Sequence, residues 1–181
     1  MSNKIIQELS LVPALREVPK EQLAWFANHS VERNFKQGEL LFQKGTPIDN
    51  LLILLKGKFV IKIEQNNQFR VVGHLETHEI GGLLPYSRAT NAAGRAEAVQ
   101  EAKVLALHKD HFKEMITDHH ELTTVFVHVM STRIREFTKK QQQDDKMMSL
   151  GKLSAGLAHE LNNPSAAVVS CAQALRFHLG F

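Results

Sequence analysis

The chain has 181 residues, enough for one ordinary domain with an added element or for two small domains. Its 43% hydrophobic and 23% charged content is that of a globular protein with a core, and its net charge of +3 is spread without a basic block, which speaks against a nucleic-acid partner. A lone cysteine, Cys171, excludes a disulfide framework and a cysteine-based metal site, and no apolar run approaches the ~18 residues of a membrane span. The start, "MSNKIIQELS", carries charge where a signal peptide keeps an apolar stretch, so a soluble, cytoplasmic protein is expected.

Two helical stretches come first. One lies around Asn3–Leu9; the other begins near Pro19, a residue favoured at the start of a helix, and carries Leu23 and Phe26. From about Val31 to Leu107 the runs "ELLFQ", "NLLILL", "KFVIKI", "FRVVGHL" and "KVLALH" have strand length and strand composition. Between them stand Gln37-Gly38, Lys44-Gly45-Thr46-Pro47, Lys56-Gly57-Lys58 and Gln65-Asn66-Asn67, all suited to tight turns. Short strands at such spacing predict an antiparallel jelly-roll barrel with flanking helices, an α+β architecture.

After Leu107 the character changes. No glycine occurs from Lys109 until Gly151 and no proline until Pro164, so helix is expected throughout. Phe126, Met130, Ile134 and Phe137 form one apolar stripe; Leu150, Leu153, Leu157 and Leu161 form another. At about 100° per residue the two stripes sit roughly half a turn apart. The polar run between them, Lys139–Lys146, should therefore hold a stutter, a kink or a short break, serving as a hinge or as a plain linker.

On a helical wheel His159 lies almost opposite the second leucine stripe, which Val168, Cys171 and Leu175 continue. An exposed imidazole is the expectation, with Glu160 adjacent, Asn163 one turn on and Pro164 kinking the helix just beyond. A neutral ring nitrogen there could attack a phosphoryl group. The carboxylate could take the proton from the other nitrogen and an amide could orient the phosphoryl group or a water. By chemistry alone an ordinary solvated helix face fits the same residues.

The segment "GKLSAGLAHELNNPSAAV" resembles the phosphoacceptor box of sensor histidine kinases, in the dimerisation and histidine-phosphotransfer helix, over about Met147 to Leu175. The resemblance implies that His159 is phosphorylated, that Glu160 is its acid-base partner, and that Asn163 serves phosphatase and transfer chemistry. It implies a homodimer through the C-terminal helix, a four-helix bundle and a response-regulator partner whose Asp receives the phosphoryl group. The family's second hairpin helix and its ATP-binding domain, which holds ATP and Mg, do not follow in this sequence. The chain should therefore not autophosphorylate alone, carries no cofactor of its own, and reads as the front part of a longer kinase.

The run "VERNFKQGELLFQKGTPIDNLLILLKGKFVIKI" resembles the first half of cyclic-nucleotide-binding domains, the likeness extending over about Leu11 to Ser131. Gly38, Gly45, Asp49 and Gly57 stand at that family's turn positions, where glycine allows positive φ. The family's phosphate cassette carries a Glu for the ribose hydroxyl and, about ten residues on, an Arg for the cyclic phosphate. Here "IGGLLPYSRATNAAGRAEAV" places Gly82, beside Gly81, where the Glu belongs and Ala92 where the Arg belongs; Arg88 comes too early and Arg95 too late. Gly81, Gly82, Arg88 and Arg95 are the candidate ligand residues, with surface charges of a rebuilt loop as the alternative for the two arginines. Ordinary cAMP or cGMP binding is not expected; another small molecule or a protein signal at the barrel fits better.

Several histidines invite a metal, but none is expected. His74 and His78 fall at a strand end and its turn, and His108/His111 and His119/His120 lack an evident third ligand. Tyr86 is expected to pack within its loop, and Cys171 within the apolar stripe. The resulting organisation is a sensor domain over residues 1–131, a helical linker over 132–146, and the first phosphoacceptor helix over 147–181. The resemblance implies that this organisation belongs to a two-component kinase, and no nucleic-acid or membrane partner is expected. The rivals are a catabolite-activator-like transcription regulator, for which a helix-turn-helix after Met148 is wanting, and a non-catalytic dimeric sensor or scaffold.

Overall fold

The computed structural model describes the backbone of residues 2–179 apart from Asn66, and side chains from residue 3 to residue 154 apart from those of residues 66 and 152. The chain divides into two compact units, residues 1–132 and 133–181. In the first, helices α1 (Ser2–Ser10) and α2 (Lys20–His29) flank a 3-10 turn at Pro13–Leu15. Eight strands follow: β1 (Ser30–Phe35), β2 (Leu40–Phe42), β3 (Asn50–Lys56), β4 (Lys58–Gln65), β5 (Gln68–Glu76), β6 (Ile80–Gly82), β7 (Arg95–Ala98) and β8 (Ala102–His108). A 3-10 turn at Lys109–His111, a short α3 (Phe112–Asp118) and a long α4 (His120–Leu179) complete the order.

The strands pair antiparallel as β1-β8-β3-β6 and β2-β7-β4-β5, the two faces of the expected jelly roll. Why β3 reads as an unbroken apolar run is now plain: it is covered on both sides. Leu51, Ile53 and Leu55 join the core beneath the helices, with Leu23, Phe26, Met115 and Phe126. Leu52 and Leu54 join the core between the sheets, with Phe35, Phe59 and Val104. Burying each such side chain stabilises the fold by about 1.5–3 kcal/mol. The inter-sheet core is filled partly by Ala96, Ala98, Ala102 and Ala106, small enough to let the sheets close.

The five apolar runs are β2, β3, β4, β5 and β8. The brief β6 ("IGG") and β7 ("RAEA") escape sequence reading because neither contains a β-branched pattern. Tertiary pairing, β6 on β3 and β7 on β2 and β4, makes them strands. Gly38, Gly45 and Gly57 take φ of 85°, 83° and 102°, as their turns require.

In α4 the first apolar stripe divides. Phe126 is fully buried and Met130 packs against the core, whereas Ile134 and Phe137 are 58% and 69% exposed. Helix continues without interruption through Lys139–Lys146, so of the three devices expected there a break is not the one used. Met147, Met148, Leu150 and Leu153 are also exposed. The side chains of His159, Glu160, Asn163, Pro164 and Cys171, and the leucine stripe beyond Leu153, lie outside those described. No helix among the described residues is long and apolar enough to cross a membrane.

Candidate functional site

The loop joining β6 to β7 occupies the place where the resemblance puts a ligand. Its entry is closed by packing. At Gly82 φ is +67°, and a Cβ would stand 2.2 Å from the Asn50 carbonyl oxygen and 2.9 Å from Leu52 Cγ. The next amide, Leu83 N–H, donates to that same Asn50 oxygen at 2.8 Å, which fixes the turn. No side chain fits at Gly82 without moving the backbone, so a carboxylate there is sterically refused. Gly81 is buried, and a Cβ there would stand 3.2 Å from Leu75 Cδ2.

Beyond it Leu83, Leu84 and Pro85 are buried, while Arg88 is exposed. Tyr86 is 65% exposed and has φ of 64°, so the expectation that it packs in the loop is corrected. Buried Pro85 holds the preceding chain, and the Ser87 amide bonding to the Leu84 carbonyl at 3.1 Å turns Tyr86 outward. The exit of the loop is zipped to the β2–β3 connection. The Ile48 amide donates to Thr90, the Ala92 amide to Thr46 and the Gly45 amide to Ala92, at 2.8–2.9 Å. Asn91 Nδ2 adds a bond to the Gly45 carbonyl at 2.9 Å. Ala92 is only 6% exposed.

Arg95 stands apart from this loop. Alternation along β7 turns Ala96 and Ala98 into the inter-sheet core, so Arg95 and Glu97 face outward on the opposite sheet from Gly81 and Gly82. Arg95 lies 3.8 Å over the Phe69 ring and 3.5 Å from Glu97, which also pairs with Lys62 at 3.0 Å. The hydrogen bond from Lys62, then its charge, hold the Glu97 carboxyl below the usual carboxylate range. Arg95, Phe69 and Lys62 line a groove of about 190 Å³ with Lys44 and Glu64. Of the four candidate ligand residues the structure thus keeps Gly81 and Gly82 together, places Arg88 on the following loop, and commits Arg95 to local partners elsewhere.

The histidines divide differently from their order in sequence. His74 lies in β5 and His78 in the turn after it, with φ of 69°. His108 pairs with Asp110 at 3.1 Å. Around His111 the fold assembles a different group: His29 and Glu114 lie beside it, while His108 does not join them. Nothing in the local sequence could reveal His29, which comes from α2, 82 positions upstream.

Residues 32–119 match the family model of the cyclic nucleotide-binding domain. No curated protein matches the chain. Among solved structures it is similar to the N-terminal domain of a transcriptional regulator from Streptomyces coelicolor A3(2), with 21% identity, coverage of 73% of this chain and 95% of that one, and a TM-score of 0.60. It is similar to the catabolite activator protein of Thermus thermophilus at 19% identity, over 72% of this chain and 62% of the other, with a TM-score of 0.64. A cyclic nucleotide-binding domain from Methylobacillus flagellatus gives 13% identity, 77% and 83% coverage, and a TM-score of 0.66. At such identities the likeness speaks for the fold. Two sheets closed as a jelly roll and flanked by helices give this part of the chain the cyclic nucleotide-binding fold, and residues 32–119 are similar to that domain's family model.

Proposed function

We propose that this chain is the sensory and phosphoacceptor part of a two-component histidine kinase. The observation that carries the reading is the box "AGLAHELNNP" within a helix that follows directly on the sensor fold. In the full-length protein His159 would attack the γ-phosphoryl group of ATP held with Mg by a separate ATP-binding domain. The N–P bond forms as the bond to ADP breaks, Glu160 takes the ring proton, and Asn163 orients the later transfer. The phosphoryl group then passes to an Asp of a response regulator. Exposed Ile134, Phe137, Leu150 and Leu153 on α4 support a homodimer formed through this helix.

At the barrel the signal is not ordinary cAMP or cGMP. The closed backbone at Gly82 and the buried Ala92 favour a different small molecule or a protein contact at Gly81, Gly82 and the Arg88 loop. Binding there would bias the packing of the helix leading to His159. A second reading, a transcription regulator, is favoured by the description of two of the fold relatives as a transcriptional regulator and a catabolite activator.

The test is phosphotransfer to this chain, and to a segment containing the complete helical hairpin, from the ATP-binding domain supplied separately. Labelling that disappears in His159→Gln is the expected result. An unlabelled complete hairpin, or one labelled equally well after the substitution, would overturn the reading, and specific DNA binding by the chain would favour the second.

A further inference from the structure

Where α2 ends and α3 begins, four side chains meet that the phosphoacceptor reading does not use. Trp25 and His29 are one turn apart on α2; His111 and Glu114 are one turn apart at the start of α3. Each pair therefore shares a helix face. One ligand atom from each of His29, His111 and Glu114 lies within 4.8 Å of the other two. The imidazole rings of His29 and His111 have centroids 5.0 Å apart. A tetrahedral metal with ligands at about 2.0–2.2 Å would draw such atoms closer by little more than about 1 Å, a χ rotation of His111 or Glu114.

We propose that His29, His111 and Glu114 form a binding site for a divalent transition metal ion, of the zinc or cobalt kind. Two features beyond proximity point to a ligand. His29 Nδ1 lies 2.8 Å from the Trp25 carbonyl oxygen. A carbonyl only accepts, so the neutral ring carries its proton on Nδ1 and keeps the Nε2 lone pair available. This is the arrangement by which outer groups orient metal-bound histidines. Trp25 Nε1–H donates to Glu114 Oε1 at 2.7 Å, holding that carboxylate and leaving its second oxygen uncommitted by the indole. One residue thus orients two of the three ligands. His119 stacks on Trp25, with centroids 4.3 Å apart, and closes the indole's environment without joining the ligand set.

Two imidazoles with one carboxylate suit zinc, cobalt, nickel or copper rather than calcium or magnesium, which prefer oxygen. His29 and His111 are half-buried and Glu114 is exposed, so an ion has a path from solvent and a fourth position open to water. Occupancy would tie the end of α2 to the segment that leads into α4. Within residues 1–132 this gives metal availability a direct hold on the helical layer over the sheet.

Trp25 is the single tryptophan and reports the site directly. Titration of the full chain with Co²⁺ should quench its fluorescence, saturate at one ion per chain and reverse when Zn²⁺ competes; Ca²⁺ and Mg²⁺ should do neither. His29→Gln and His111→Gln should each weaken Co²⁺ binding by more than about 100-fold. Trp25→Phe, followed by Co²⁺ absorption, should weaken it by about 10–100-fold, the usual effect of losing an outer orienting group. Glu114→Gln, at an exposed position, should also lose tight binding. His74→Gln/His78→Gln should bind as the parent does. Absence of quenching at micromolar Co²⁺, or binding that survives His29→Gln/His111→Gln in a chain of unchanged circular dichroism, would overturn the proposal.

Discussion

At Gly82 and Gly57 the backbone conformation and the neighbouring backbone act together. A Cβ at Gly57 would stand 2.6 Å from the Glu101 oxygen and 2.7 Å from Ala102 Cα, as the β3–β4 turn presses on the start of β8. Gly57→Ala and Gly82→Ala should each lower stability by about 2–3 kcal/mol, from strained φ plus overpacking. Gly73, in β5, has nothing within 4 Å of the Cβ direction. Gly73→Ala should change stability by no more than about 0.5–1 kcal/mol, and in the favourable direction. Urea unfolding of residues 1–132 compares the three directly. An unchanged midpoint for Gly82→Ala would mean the loop relaxes, reopening the possibility of a side chain at that position. The departure from the nucleotide-binding pattern at Gly82 thus has a structural side: a Cβ there meets the Asn50 carbonyl oxygen and Leu52.

Among elements, the junction of α2 with the start of α4 carries a specific polar clamp. Gln22 Oε1 accepts from the Leu122 amide at 3.0 Å, and Gln22 Nε2 donates to the Glu121 carboxylate. A side chain of one helix thereby satisfies a free amide at the N-terminus of another. Thr123 Oγ1, which donates to the Met115 carbonyl at 2.9 Å, ties the same turn to α3. The bond from Gln22, followed by the bond from its own backbone amide, lowers the Glu121 carboxyl below the usual range. A depressed folded-state pKa means that its contribution is complete above the unfolded-state value and lost as pH falls through the folded one. The Leu122 amide resonance should titrate accordingly, at a pH below that of an ordinary glutamate. In Gln22→Ala the midpoint should rise toward the ordinary range, with a stability loss of about 1 kcal/mol. A midpoint indifferent to that substitution would show that Gln22 does not set it.

For the whole molecule the decisive quantity is the apolar surface that α4 leaves uncovered. Ile134 and Phe137 continue the stripe of Phe126 and Met130, yet the first two are exposed where the latter two pack on the core. A second copy of the chain is the partner that the proposed function requires. Ile134→Asp/Phe137→Asp should weaken self-association at least about tenfold, because burial of such side chains is worth about 1.5–3 kcal/mol each. Sedimentation velocity measures it: dimer for the parent, monomer at equal concentration for the variant. A parent that stays monomeric throughout would remove the homodimer from the proposed mechanism.

The jelly roll was legible in sequence because alternating turns and strand-length apolar runs constrain local conformation, and β3 announced its two-sided burial through an unbroken row of Leu and Ile. The helical character after Lys109 was equally local, written in the absence of glycine and proline. The His159 box, too, is a property of consecutive residues. Tertiary structure alone decided the rest. It made strands of "IGG" and "RAEA" through their neighbours, set Arg95 on an outer face against Glu97 and Phe69, and turned Tyr86 to solvent. It also joined His29 to His111 and Glu114 across more than eighty positions. Local sequence records what the backbone prefers over a few residues; proximity between distant side chains is created only when the sheets close and the helices pack over them.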